Sequence, residues 1–105
     1  IDAIAVITID ETPTLGTLAV TSAAGSETGD TKITVNPAKE NAGNVYKYKV
    51  AAEAVTVGYG QNLRNWSTWD GKADITAATG QKITVVECDG TYKALNAGSA
   101  SVTAK

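Results

Sequence analysis

The amino-acid sequence predicts an all-β fold, an antiparallel β-sandwich of about seven strands in two sheets. Three observations predict it. Of 105 residues, 15 are Thr, 10 are Val and 7 are Ile, and β-branched side chains suit an extended backbone better than a helix. Apolar and polar residues alternate with a period of two in short runs, the pattern of strands with one dry face. Gly, Pro, Asn and Asp bound those runs. The length fits one domain, residues 1–105, with 1–15 serving as linker or edge strand.

The elements follow in order along the chain. The first strand is expected over Ile4 to Ile9, and Pro13 with Gly16 breaks it before a second over Leu18 to Thr21. Ser22 to Gly29 is small and polar and reads as a loop. Asp30 to Asn36 alternates cleanly with Ile33 and Val35 inward, and Pro37 ends it because proline cannot donate to a ladder. Lys39 to Asn44 reads as a turn. Val45 to Val50 places Tyr46, Tyr48 and Val50 on one face and Lys47 and Lys49 on the other, where the lysines are expected in solvent. Ala54 to Val57 predicts a short strand, and Gly58 to Gly71 is the longest irregular stretch. Ala73 to Ala77, Lys82 to Cys88 and Ser99 to Ala104 complete the set, with Tyr92 to Leu95 continuing the hairpin that turns at Asp89-Gly90. In Lys82 to Cys88, turning Ile83 and Val85 inward carries Glu87 inward too, which predicts a bulge near Val85-Val86. Lys32-Ile-Thr-Val35 recurs as Lys82-Ile-Thr-Val85, a convergence that strand chemistry alone explains.

Composition excludes several classes of function. The chain has no His, which removes the usual general base near neutral pH and the commonest nitrogen ligand of zinc or iron. Its one sulfur is Cys88, which can form neither an internal disulfide nor a thiolate cluster and reads as a buried, inert thiol. Nine basic and eleven acidic residues give a net charge of −2 with neither sign in a block, so nucleic acid is not an expected partner. No apolar run approaches the roughly 20 residues of a membrane-spanning helix. The expectation is a protein without enzyme activity and without cofactors.

The segment Ile75 to Ala104 resembles the last three strands of fibronectin type III and related immunoglobulin-like modules. It carries an apolar residue, a Thr79-Gly80 corner, the alternating run Lys82 to Cys88, the turn Asp89-Gly90 and a final Ser/Val/Thr-rich run. The pair Asp30 to Asn36 and Val45 to Val50 resembles their second and third strands. The Thr, Ala, Gly and Lys usage is similar to that of such modules in surface-layer, adhesive and polysaccharide-degrading proteins of bacteria, and phage particles carry them too. The resemblance implies an immunoglobulin-like domain that acts as a structural, spacer or adhesive module of a larger extracellular protein, with neighbouring domains of its parent chain as partners. A virion is the other location it implies, as a decoration domain of a phage structural protein.

The residues themselves suggest one binding site. Tyr59, Trp66 and Trp69 fall in one glycine-containing stretch with Asn65 and Asp70, and flat aromatic faces beside amide and carboxylate groups suit the C–H faces and hydroxyls of a cell-wall or other polysaccharide. Against this stands core burial, because a chain without Phe must find bulk elsewhere, and on a strand a three-residue spacing would oppose the two indoles. Asp70 and Asp74 with Asp89 raise a calcium site, for which turn chemistry is the simpler reading. A lysine isopeptide bond with Glu53 or Glu87 nearby is not expected where the lysines are solvated.

Overall fold

The computed structural model describes residues 15–36 and 43–105; the strand expected over 4–9, Pro37 and most of the turn expected over 39–44 lie outside them. The described residues contain no helix. Their strands are β1 (Gly16–Thr17), β2 (Ala19–Ala24), β3 (Asp30–Asn36), β4 (Val45–Ala51), β5 (Ser67–Trp69), β6 (Ile75–Thr76), β7 (Lys82–Cys88) and β8 (Ala94–Ser101). They form an all-β sandwich of a five-stranded sheet, ordered β1-β8-β7-β4-β5, and a three-stranded sheet, ordered β2-β3-β6. All pairings but one are antiparallel; β1 runs parallel to β8.

Two strands, Asp30–Asn36 and Lys82–Cys88, have the expected bounds, and β4 runs one residue beyond its own. Elsewhere the pairing moves the boundaries. β2 continues through Ala24, into the expected loop, because its register with β3 holds to Ala24 opposite Thr31 and the Ser22 hydroxyl meets that of Thr31. Of the strand expected over 73–77, Ile75 and Thr76 alone pair. The last strand lies earlier than 99–104, since β8 continues the 89–94 hairpin and pairs with β7 throughout. Residues 54–57 form no strand; they begin an excursion across the outer face of the large sheet. β5 was not expected, being three residues inside the stretch read as irregular.

β7 sits at the centre of the large sheet, and from Ile83 to Cys88 every residue is buried. Its alternation is intact, but both faces are dry. Ile83 and Val85 enter the space between the sheets with Ile33, Tyr46, Trp69, Ile75, Ala77 and Val102. Val86 and Cys88 point the other way, into a second cluster with Val57, Leu63 and Ala94 that the 52–66 excursion lays over the sheet. Fully burying each of the Val, Leu and Ile side chains among these contributes about 1.5–3 kcal/mol. The register irregularity lies between Glu87 and Cys88 rather than at Val85-Val86, and it is not needed to reconcile their faces.

Glu87 is fully buried, on the same side of the sheet as its partner Tyr46. The side-chain amides of Asn44 and Asn96 donate to its carboxylate at 2.7 Å and 3.1 Å. This couples the start of β4, the end of β7 and β8 through one acceptor, and a buried acceptor so placed disfavours any slipped register. Close packing continues at β8. A Cβ on Gly98 would stand 2.1 Å from the Leu18 carbonyl oxygen, so only glycine lets β8 pass the β1–β2 junction.

Candidate functional site

The site is set by where β5 stops. Its register with β4 runs from Trp69 opposite Tyr46 to Ser67 opposite Tyr48, and β4 continues to Ala51 without it. Trp66 and Asn65 turn away, held by the Trp66 amide donating to the Leu63 carbonyl at 2.9 Å. A notch of about 380 Å³ opens there, between Tyr48, Lys49 and Val50 of β4, Asn65, Trp66 and Ser67 of the incoming chain, and Thr76 of β6 in the other sheet. The Lys49 ammonium stands 6.0 Å from the centre of the Trp66 ring.

Of the five residues expected to form a sugar platform, the notch gathers Asn65 and Trp66. Trp69 is buried between the sheets, its ring 5.4 Å from that of Tyr46, and its indole N–H donates to the Ala73 carbonyl at 2.7 Å. The two tryptophans therefore serve opposite faces of the large sheet, Trp69 in the inner cluster and Trp66 against the outer one. Tyr59 is 45 % exposed in the outer excursion, apart from the notch. Asp70 is exposed and accepts from the amides of Lys72 and Ala73 at 2.7 Å and 2.8 Å. These bonds, Ala73 first, lower its pKa from the ordinary value and fix it as the head of its own turn. Tyr48, Lys49, Ser67 and Thr76 were not foreseen at this site. Alternation placed Tyr48 on the inner face, but no local pattern brings Thr76 from the opposite sheet.

Lys47 departs from expectation. It is only 4 % exposed, because the excursion and Tyr92 cover the face that alternation assigned to solvent. Its ammonium donates to the Thr68 hydroxyl at 2.6 Å and the Trp66 carbonyl at 3.3 Å, and lies 4.6 Å from the centre of the Tyr92 ring. Neutral acceptors and an aromatic face satisfy the buried cation. Tyr92 takes a left-handed backbone, φ 68°, at this position. Lys47 is opposite Val86 in register, so it and Glu87 lie on opposite faces and do not meet; Glu53 is exposed.

The other acidic candidates are spent on the fold. Asp74 accepts from the Ser26 amide at 2.7 Å, and Asp89 accepts from the Thr91 hydroxyl and from the amides of Thr91 and Lys93. Those bonds, the Thr91 hydroxyl first, lower the pKa of Asp89. Among the described residues no three His, Cys, Asp or Glu side chains group as metal ligands.

Cys88 is inaccessible, and burial, helped by the Asp89 charge, pushes its thiol up to about 11 from 9.0. The native thiol then stays protonated where the unfolded one ionises, so unfolding releases a proton between about pH 9 and 11 and stability falls as pH rises through that window. Two units correspond to roughly 2–3 kcal/mol. Urea unfolding at increasing alkaline pH should show this loss, and Cys88→Ala should flatten it while starting from a lower stability. Tyr46, raised by burial and by Glu87, adds a loss that sets in above pH 10.0, overlapping the upper part of that window, and that the variant keeps.

The family model described as S-layer protein SbsC C-terminal domain matches residues 23–105, from the end of β2 to the last residue. Neither the curated proteins nor the solved structures give a match, so the immunoglobulin-like resemblance has no structural neighbour behind it. With most of its length matched, including the whole of the large sheet beyond β1, the chain belongs to the S-layer protein SbsC C-terminal domain family.

Proposed function

We propose that this domain is a non-catalytic structural module of a larger extracellular bacterial protein, built into a surface layer and contacting chiefly the neighbouring domains of its own chain. The family match over residues 23–105 is the observation that carries this reading, and it favours a bacterial cell surface over a virion. The architecture suits the role. β1 and β8 are parallel, so tension entering ahead of β1 and leaving after β8 loads their hydrogen bonds, and the Leu18 amide to Ala97 carbonyl bond at 2.9 Å, together in shear rather than one at a time. The acidic side chains with defined partners serve turns and strand register, and no helix of the described residues is long and apolar enough to cross a membrane.

Deleting this domain from the parent chain tests the reading. Electron microscopy of the cell surface is expected to show a lost or altered layer while the shortened chain is still exported. An unchanged layer would remove the proposal.

A further inference from the structure

The geometry points to the notch beside Trp66 as a saccharide site that takes a pyranose ring of a glycan chain. The two indoles of this protein are used differently. Trp69 has its N–H satisfied by Ala73 and its ring closed in the core, whereas Trp66 is half-buried, packs one part against the outer cluster, and has no partner for its indole N–H among the described residues. Around it the side chains of Tyr48, Asn65 and Ser67 likewise have no hydrogen-bond partner among the described residues, and Lys49 contributes a cation that no carboxylate of those residues holds.

That combination selects among ligands. An apolar ligand would cover these polar groups without pairing them, which costs binding energy. A small ion would make no use of the indole. A peptide strand added to β4 would need a longer free edge than Lys49 to Ala51 provides. A pyranose ring offers a C–H face to the indole and a rim of hydroxyls that both donate and accept, which matches an aromatic face rimmed by hydroxyl, amide and ammonium groups. The volume, about 380 Å³, lies at the small end of ligand clefts, which run from roughly 300 to 1,000 Å³, and suits a short saccharide. The site goes beyond the structural role, and its failure would leave that role standing.

Titrating the intact chain with chitotetraose, cellotetraose and oligogalacturonate, and reading both tryptophan emission and the amide resonances of Asn65 and Ser67, tests the assignment. At least one saccharide is expected to give saturable changes at millimolar concentration. Trp66→Ala should abolish them, Asn65→Ala should weaken binding about five- to tenfold, and Tyr59→Ala, outside the notch, should change nothing. Because Trp66 also touches the outer cluster, the exposed Asn65→Ala variant separates lost recognition from lost fold. Binding of oligogalacturonate alone, lost in Lys49→Gln, would identify the ring as an acidic sugar paired with that ammonium. No response to any of the three, or binding that survives both notch variants, would overturn the proposal.

Discussion

Trp69→Ala is expected to cost about 3–5 kcal/mol of folding free energy. Its indole is 5 % exposed, packs against Tyr46 with the rings tilted by 46°, and joins the inner cluster with Ile33, Ile75, Ile83 and Val85. The chain has no Phe, and its inner core is otherwise built of smaller aliphatic side chains around Tyr46, so little can move in to refill the space. Truncation also leaves the Ala73 carbonyl without its indole donor. Domains of this size have about 5–15 kcal/mol in total, so the variant should lose a large share of its stability, seen as a large fall in urea midpoint. Trp69→Phe keeps most of the ring volume but not the donor, and should cost about 1–3 kcal/mol. Loss of under about 1 kcal/mol in the alanine variant would place Trp69 at the surface.

Leu63→Ala is expected to cost about 2–5 kcal/mol, although Leu63 lies outside the strands, beside the isolated bridge between Asn62 and Lys93. Leu63 is 1 % exposed and sits with Val57 over Val86, Cys88 and Ala94, on the face of the large sheet that turns away from the small one. Its backbone is fixed there too, its amide donating to the Tyr92 carbonyl at 2.8 Å. In a sandwich with a wet outer face the same change would fall within about 0.5 kcal/mol of zero. The comparison therefore measures whether the excursion is a lid of the core or a surface loop, by urea unfolding of the two proteins under one condition.

What the sequence made legible was the part of the fold that is local. Asp30–Asn36 and Lys82–Cys88 carry their bounds in their own alternation and flanking turns, and the structure keeps them. What was not legible depends on chain brought from elsewhere. Lys47 follows Tyr46 on the face that alternation gives to water, and only the return of the 52–66 excursion and of Tyr92 makes that face dry. The same covering explains why Glu87 and Cys88 are both buried without breaking alternation. β5 has three residues, too few to show an alternation, and although Asp70-Gly71 marks its end, only β4 pairing sets its start. The site was half legible for a related reason. Asn65 and Trp66 lie side by side in sequence, whereas Tyr48, Lys49 and Thr76 join them through strand order. Trp69 was drawn into the same expectation by proximity in sequence, and strand geometry sends it the other way.

Hydrogen exchange within β7 tests most directly the claim that this module is held together by a central strand closed from water on both faces. The amides of Ile83, Val85 and Val86 are expected to exchange only through global unfolding, with an opening free energy equal to that measured in urea. Those of the edge strand β2 should exchange faster. Exchange in β7 as fast as in β2 would contradict the account.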